Sequence, residues 1–166
     1  MTLPKPTELI DRLAEQIRPT LTADCALVGI HTGGVWVMEA LARRLDSDLP
    51  CGSLDIAFYR DDFSRIGLHP IVKPSQIDFD TEGRRLLLID DVLYTGRTVR
   101  AAMNQLFDYG RPATIRLAVL VDRGGRELPI CPDFSGYKLE IADDQHVSLV
   151  KHDDGSLGFV QGANRA

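Results

Sequence analysis

The chain has 166 residues, enough for one domain with a sizeable hydrophobic core. Its composition, 44% hydrophobic and 26% charged, is that of an ordinary soluble globular protein, and no apolar run reaches the roughly 18–20 residues that span a bilayer. The net charge of −5 provides no global attraction to nucleic acid, although arginines cluster locally between Arg97 and Arg126.

The amino-terminal segment and the cysteines predict a cytoplasmic protein. The segment MTLPKPTELIDRL lacks the apolar stretch of a secretory signal. Because the three cysteines, Cys25, Cys51 and Cys131, are odd in number and far apart, we expect free thiols in a reducing compartment. No C-x-x-C motif or Cys/His cluster suggests a zinc site.

The first part of the chain predicts two helices and two strands. Apolar residues spaced three and four apart from Leu9 to Ile17 predict a helix that Thr7 caps and Pro19 stops. CALVGI is typical of a buried strand, and HTGG then forms a turn before the helix VWVMEALARRL. CGSLDIAFYRDD predicts the next strand. Residues 63–79 show no sustained period, and a loop this long in a compact domain is usually functional or mobile.

The second part continues the alternation of strands and helices. RRLLLID has no polar alternation, as expected for a central parallel strand covered on both faces. RTVRAAMNQLFDYG predicts a helix that ends at Gly110, and TIRLAVLVD predicts the next strand. The remainder predicts loops and short strands. The alternation indicates an α/β domain over residues 1–166, with helices flanking a mainly parallel sheet.

The strand RRLLLID ends in two adjacent acids, Asp90 and Asp91, followed by a loop suited to an anion. Ligands of open α/β sheets bind beyond the carboxyl ends of the strands. Two carboxylates there need hydroxyl donors or a divalent cation to offset repulsion and desolvation. The following loop VLYTGRT leads into a helix amino terminus, where Gly96 and the hydroxyls of Thr95 and Thr98 favour phosphate. The predicted ligand is a sugar phosphate with vicinal hydroxyls.

Blander explanations of the acid pair are also available. Asp90 and Asp91 could be a helix cap with a solvated neighbour. The P-loop motif G-x-x-x-x-G-K-[ST] and the dinucleotide motif G-x-G-x-x-G are both absent. A phospho-acceptor receiver domain would need an acid pair near the start of the chain, and CALVGIHTGG has none.

The run LLLIDDVLYTGRT resembles the phosphoribosyl-diphosphate (PRPP) motif of type I phosphoribosyltransferases. The longer run DDVLYTGRTVRAAMNQLFDYGRPATIRLAVLVDRGGRELPI resembles one branch of them, the PyrR family of pyrimidine operon regulators and uracil phosphoribosyltransferases. DIAFYRDDFS is similar to the same family, and the resemblance covers residues 27–133. It implies the type I phosphoribosyltransferase fold, with a small hood and a flexible loop.

The resemblance also implies residue roles. Asp90 and Asp91 would bind the ribose 2- and 3-hydroxyls and, with Arg60, form the catalytic set, although Arg60 could instead pair only with a neighbouring acid. The diphosphate loop would be Thr32, Gly33 and Gly34, whose glycines suit an unusual backbone such as a cis peptide bond. The remaining PRPP-binding residues would be Val92, Leu93, Tyr94, Thr95, Gly96, Arg97 and Thr98.

The other implied parts surround this motif. A flexible loop over about residues 63–79 would cover the diphosphate. A hood over about residues 122–145, with the amino-terminal segment, would hold the base near Val121, Asp122 and Arg123. The implied reaction is uracil plus PRPP giving UMP and diphosphate, with Mg²⁺ bound through PRPP and water rather than directly by the protein. The family also implies a homodimer or larger assembly.

The sequence departs from the family at Gly33, where an arginine is common. Losing a charged hydrogen bond typically costs about 1.5–3 kcal/mol, so we expect PRPP affinity or turnover to be weak. Regulators of the family bind messenger RNA through a basic surface that includes the first helix, but here ELIDRLAEQI has three acids and one arginine. A remaining candidate patch for pyrimidine-operon leader RNA consists of Arg111, Arg116, Arg123 and Arg126.

Two main hypotheses follow from these features. The first is a pyrimidine operon regulator with uracil phosphoribosyltransferase activity. The second is a regulator that senses PRPP or UMP with weak or no catalysis and acts through RNA or a protein partner. A transferase for another base is a third option, because base choice depends largely on the backbone of the hood.

Overall fold

The computed structural model describes residues 2–56 and 75–163, which form three α-helices and seven β-strands within those ranges. A short 3-10 turn, Arg18–Thr20, follows the first helix. In chain order the elements are α1 Pro6–Ile17, β1 Cys25–Ile30, α2 Gly33–Leu45, β2 Cys51–Leu54, β3 Arg85–Leu93, α3 Arg97–Phe107, β4 Thr114–Asp122, β5 Phe134–Lys138, β6 Gln145–Lys151 and β7 Leu157–Ala163.

Five strands form one sheet in the order β2-β1-β3-β4-β5, and every neighbouring pair is parallel. The sheet confirms the predicted α/β class. From β1 the chain goes outward to β2, then returns to lay β3 on the other side of β1. The strand order therefore reverses between β1 and β3, and a crevice at the carboxyl ends of these two strands is where ligands of such sheets bind.

Alternate residues of the central strands supply two separate cores. Leu27, Leu87 and Ile89 pack with α1 and α2 on one face of the sheet. Val28 and Leu88 pack with α3 on the other face. Successive side chains of a strand point to opposite faces, so a strand with both faces covered needs a continuous apolar run. That requirement explains the unbroken apolar pattern of β1 and β3.

Three local predictions are wrong at the level of single residues, and one of them is the end of α3, which lies at Phe107 rather than at Gly110. Thr7 does not cap α1, because the helix begins at Pro6 and its flanking residue Lys5 makes no side-chain cap. Proline is favoured at the first helical position, where its missing N–H costs nothing. The strand predicted from CGSLDIAFYRDD is shorter than expected: β2 ends at Leu54, and residues 57–62 lie outside the described ranges.

The end of the chain adds an edge strand and a hairpin. β5 extends the parallel sheet beside β4 and contacts α1. β6 and β7 form a separate antiparallel pair, and Val147 and Leu149 of β6 join the core under α1 and α2. None of the described helices combines the length and the apolar character needed to cross a membrane.

Candidate active site

The candidate site lies where the chain leaves β1 and β3. Residues 31–34, here called the first loop, connect β1 to α2. Asp90 and Asp91 lie near the end of β3, and residues 94–98, here called the phosphate loop, lead into α3. The topology therefore brings the predicted diphosphate loop and the predicted acid pair to one edge of the sheet, as the sequence suggested.

The first loop packs directly against the end of β3. The His31–Thr32 peptide bond is cis, which meets the expectation of an unusual backbone in this loop. A Cβ added to Gly34 would lie 2.5 Å from the carbonyl oxygen of Ile89, and one added to Gly33 would overlap the carboxylate of Asp91, 2.5 Å from its Cγ. The close approach of the two backbones requires glycine at position 34, whereas a side chain at position 33 would have to displace the Asp91 carboxylate.

The two acids differ in their surroundings. Asp90 is only 5% exposed, and one of its carboxylate oxygens accepts the backbone N–H of Asp91 at 3.0 Å. Asp91 is half-buried, and its carboxylate lies against Gly33 of the first loop. The pair thus offers one oxygen-rich wall between β1 and β3, which suits ribose hydroxyls or a hard cation.

The phosphate loop ends in a helix amino terminus that no side chain caps. Gly96 precedes α3 with φ 93° and ψ −5°, a left-handed conformation that favours glycine. The Thr95 hydroxyl accepts the Arg97 N–H at 3.2 Å, but it is not a cap on the first turn of α3. Converging N–H groups and the positive end of the helix dipole make this helix start suited to an anion. Thr98 lies in the same first turn, half-buried.

Residues 123–133, here called the hood loop, pack onto the phosphate loop through backbone hydrogen bonds. The Arg123 N–H donates to the carbonyl of Leu93 at 3.1 Å. The N–H groups of Glu127 and Leu128 both donate to the carbonyl of Thr95, at 3.0 and 3.1 Å. Ile130 covers Gly96, where an added Cβ would lie 3.0 Å from its Cγ1.

Arg123 is buried between these two loops. It is 6% exposed, and its guanidinium carbon lies 3.7 Å from the centroid of the Tyr94 ring. Gly125 lies against the same ring, where a Cβ would come within 2.9 Å of Cδ2. The Arg123 Nε has no hydrogen-bond partner among the described residues, and no ion pair of Arg123 is found within them. A buried guanidinium of this kind is suited to an oxygen acceptor on a ligand.

Arg126 is a feature that sequence reasoning did not identify as part of the site. Its Nη1 donates to the carbonyl of Tyr94 at 2.8 Å, and its Nη2 donates to a carboxylate oxygen of Asp122 at 2.6 Å. Its Nε donates to the carbonyl of Ile130 at 2.9 Å. One guanidinium therefore joins the phosphate loop, the end of β4 and the hood loop. Asp122 and Ile130 are 4 residues away in sequence, but Tyr94 is 32 residues away, and no local pattern signals that contact.

Several predicted site residues have structural surroundings of their own. Val121 is fully buried in the core under α1 and α2, and Leu93 is buried on the α3 side. Val92 is half-buried against the first of these cores. Asp122 accepts the Gly124 N–H as well as Arg126. Any contact of Val92, Leu93 or Val121 with a ligand would thus be through the backbone.

Arg97 and Glu127 form an additional link between the two loops. The Arg97 Nε lies 2.6 Å from a carboxylate oxygen of Glu127, with both side chains about half exposed. Exposed pairs of this kind contribute roughly 0–1 kcal/mol. The buried contacts of Arg126 therefore matter more to how the loops are held together.

Some predictions concern residues outside the described ranges. Arg60 and residues 63–74 of the predicted flexible loop lie there. Residues 75–79, at the end of that loop, pack on the sheet edge. Gln76 and Ser53 exchange backbone hydrogen bonds at 2.8 Å, and the Ser75 hydroxyl accepts the Asp55 N–H at 2.9 Å.

The oxygen donors of the site fit a magnesium ion carried largely by its ligand. Asp90 and Asp91 supply carboxylate oxygens, which Mg²⁺ prefers. Within the described residues no three His, Cys, Asp or Glu side chains gather into a metal-binding group. Since Mg²⁺ usually keeps several waters and binds through substrate phosphates, two acids without a protein cage suit it.

Comparison with known proteins gives a consistent result. The phosphoribosyl transferase domain family matches residues 3–154. The chain is 52% identical over 155 residues to the bifunctional protein PyrR of Pseudomonas paraeruginosa, covering 90% of this chain and 91% of that protein. It is 55% identical over 149 residues to the bifunctional protein PyrR of Nitrosococcus oceani, covering 89% and 82% respectively.

Solved structures match the fold. A hypoxanthine-guanine phosphoribosyltransferase from Bacillus anthracis superposes with a TM-score of 0.67 at 18% identity, covering 84% of this chain and 83% of that one. A purine phosphoribosyltransferase from Pyrococcus horikoshii superposes with a TM-score of 0.63 at 24% identity, covering 83% and 85%. At these identities the likeness concerns the fold alone.

Proposed function

The chain belongs to the PyrR family of type I phosphoribosyltransferases, and from that premise we propose that it converts uracil and PRPP to UMP and diphosphate and also regulates pyrimidine genes. One observation carries the enzymatic part. At the switch point of the sheet, the acid pair of β3, the glycines of the first loop and the uncapped start of α3 lie around one crevice. Those are the three groups that a ribose carrying phosphates at two positions requires.

Each group would bind one part of PRPP. Asp90 and Asp91 accept hydrogen bonds from the ribose hydroxyls. The phosphate loop, residues 94–98, binds the 5-phosphate through its backbone N–H groups and the hydroxyls of Thr95 and Thr98. The first loop faces the diphosphate with backbone groups from Thr32 to Gly34. Val92 and Leu93 could contribute backbone groups only, because their side chains belong to the cores.

The chemistry needs no nucleophilic side chain. The bond from ribose C1 to the diphosphate oxygen breaks as the uracil nitrogen attacks, and the sugar passes through an oxocarbenium-like state. Positive charge gathers on the ring and negative charge on the departing diphosphate. The carboxylates of Asp90 and Asp91 stabilise the positive charge on the ribose ring, and N–H donors of the first loop stabilise the negative charge on the departing diphosphate. Asp90 and Asp91 would hold, through water, a Mg²⁺ ion carried by PRPP, and the ion would supply positive charge that stabilises the leaving group.

Gly33 affects how fast this proceeds. It lacks the cationic side chain that an arginine would bring to the diphosphate, so leaving-group stabilisation depends on backbone donors and Mg²⁺. We therefore expect turnover to be low. A regulator that senses PRPP or UMP with little catalysis is the second candidate, because Gly33 leaves the ribose and 5-phosphate groups of the site unchanged.

A direct assay separates these alternatives. Labelled uracil, hypoxanthine and guanine are incubated in parallel with PRPP and Mg²⁺, and products are resolved by chromatography. The proposal predicts that UMP forms and that neither purine is converted. Product from a purine alone would reassign the base. No product from any base, at a protein concentration where PRPP binding is saturated, would leave the sensor as the function.

Regulation through pyrimidine-operon leader RNA is proposed on narrower grounds. Of the four arginines in the candidate patch, Arg123 and Arg126 are engaged inside the site, whereas Arg111 and Arg116 are exposed. Arg116 lies with Arg85 along a shallow depression at the amino ends of the strands. Exposed arginines there are suited to phosphate contacts. We also propose a cytoplasmic location, since all three cysteines are free thiols.

A further inference from the structure

We propose that Arg126 is a positioning residue that holds the hood loop at a fixed distance from the phosphate loop, so that the base and 5-phosphate subsites keep one spacing. This inference rests on the proposed function, because it assumes a ligand that spans both subsites. Arg126 itself does not have to touch the ligand.

The hydrogen bonds of Arg126 support this role. Each of its three guanidinium nitrogens donates to a different segment: Tyr94 in the phosphate loop, Asp122 at the end of β4, and Ile130 in the hood loop. A further contact of 3.5 Å reaches the carbonyl of Gly124. The planar guanidinium fixes the directions of its donors, so these acceptors are held in one plane at set distances.

The surroundings show that the contacts are internal rather than a surface feature. The side chain of Arg126 is 23% exposed, and that of Asp122 is 13% exposed. Asp122 balances the charge of Arg126 and also accepts the Gly124 N–H. With its donors used in this way, Arg126 has little left to offer a phosphate group of RNA, which leaves Arg111 and Arg116 as the exposed arginines of the candidate RNA patch.

Lysine cannot replace these contacts. Its single nitrogen carries three donors at one point, whereas the acceptors of Arg126 are spread around a fork. In an Arg126→Lys variant the positive charge remains but at least one of the three segments loses its partner. The substitution therefore tests the bridging geometry separately from the charge.

The consequence depends on how much of the site a ligand covers. UMP contacts both the hood loop and the phosphate loop, so its affinity depends on their spacing. Ribose 5-phosphate contacts the phosphate loop and the acid pair only, so its affinity depends on that spacing much less. If the hydrogen bonds of Arg126 are weakened, the two loops are less ordered in the free protein. UMP must then order them when it binds, and this cost lowers its affinity. A variant that merely disturbed the whole site would weaken both ligands alike.

The test measures dissociation constants of UMP and ribose 5-phosphate by calorimetry for the wild type, Arg126→Lys and the control Arg43→Lys. Arg43 is an exposed arginine in the last turn of α2, at the opposite end of that helix from the first loop. We expect Arg126→Lys to lower the affinity for UMP at least about tenfold and the affinity for ribose 5-phosphate less than about threefold. The control should change neither. Equal weakening of both ligands, or no weakening of UMP, would overturn the proposal.

Amide hydrogen exchange keeps the test independent of the base. The N–H groups of Arg123, Glu127 and Leu128 bond the hood loop to Leu93 and Thr95. In Arg126→Lys these amides should exchange faster, while amides of β1 and α2 exchange as in the wild type. If the wild type binds ribose 5-phosphate but not UMP, the proposed uracil function fails. Hydrogen exchange then tests the positioning role of Arg126 on its own. Faster exchange at these three amides in Arg126→Lys supports that role, and unchanged exchange refutes it.

Discussion

Gly33 and Asp91 show how a single missing side chain shapes the candidate site. The space where a Cβ of residue 33 would lie is taken by the carboxylate of Asp91. The position of Asp91, the acid proposed to bind a ribose hydroxyl, therefore depends on Gly33 of the first loop. The sequence indicates that a positive charge is missing at Gly33. It does not indicate that the Asp91 carboxylate occupies the space that a side chain at position 33 would need.

Gly33→Ala tests that dependence. The added methyl group must push the Asp91 carboxylate aside, so we expect PRPP to bind roughly tenfold more weakly, about 1.4 kcal/mol. Residue 33 begins α2, where alanine is at least as good a helix former as glycine, so the melting temperature should not fall. Calorimetric PRPP titration and a thermal melt measure the two effects. Unchanged affinity would show that Asp91 does not need its present position.

Other residues could be anticipated only in part. The resemblance to the PRPP motif assigns Asp90, Asp91 and Gly96 to the site, because that motif is continuous in the chain, and their ligand contacts stay a prediction. Arg126 and Ile130 were not assigned to it, because their contacts with residues 94–96 form only when the hood loop folds back over the phosphate loop. Arg60 stays a prediction.

At the scale of elements, the start of α3 is the part of the site where backbone conformation matters most. Gly96 has a positive φ of 93° and is covered by Ile130 of the hood loop. An L-residue there must accept an unfavourable backbone conformation, and Ile130 must move by a few tenths of an ångström. Both changes strain the backbone at the start of α3, where the phosphate would bind.

We expect Gly96→Ala to lower the affinity for ribose 5-phosphate roughly tenfold and to lower the free energy of unfolding by about 1–2 kcal/mol. Gly83→Ala is the matched control, since Gly83 also has a positive φ, 68°, but has no atoms within 4 Å of an added Cβ. The control should lose similar stability and no affinity. Calorimetry and urea unfolding report both values, and equal losses of affinity in the two variants would contradict the role of the α3 start.

The elements also differ in how well their sequences predict them. β1, β3 and β4 are buried on both faces, so their continuous apolar runs are unmistakable. β5 reads FSGYK and lies at the edge of the sheet, where a mixed composition suffices, so its pairing with β4 could not be inferred. The start of α1 was predicted from a cap at Thr7, but the helix begins at Pro6, because proline is favoured in the first turn of a helix.

At the scale of the whole molecule, the acids and loops are gathered by topology rather than by sequence proximity. About sixty residues separate the first loop from the acid pair, yet the reversal of strand order between β1 and β3 makes them neighbours. The regular alternation of helices and strands predicted this arrangement in outline. A homodimer or larger assembly stays a prediction, which sedimentation analysis would measure.

The distribution of charge leads to a prediction about RNA. With Arg123 and Arg126 engaged internally and α1 acidic, the candidate patch keeps two exposed arginines, Arg111 and Arg116, for phosphate contacts. We expect pyrimidine-operon leader RNA to bind weakly and with a shallow salt dependence, because each phosphate contact adds about 0.7–0.9 to the slope of log K against log salt. Gel shifts at two salt concentrations measure that slope, and Arg116→Ala should reduce it. A steep slope, unaffected by Arg116→Ala, would locate the RNA surface elsewhere.

The central claim is that the acid pair and the phosphate loop bind the same molecule of PRPP, through its ribose hydroxyls and its 5-phosphate respectively. The most direct test is calorimetric titration of PRPP with Mg²⁺ into the wild type and into a variant with Asp90→Asn and Asp91→Asn, whose circular dichroism confirms the fold. Two lost charge-assisted hydrogen bonds, each about 1.5–3 kcal/mol, predict at least a hundredfold loss of PRPP affinity with inorganic phosphate binding reduced far less. PRPP affinity equal to that of the wild type would contradict the account.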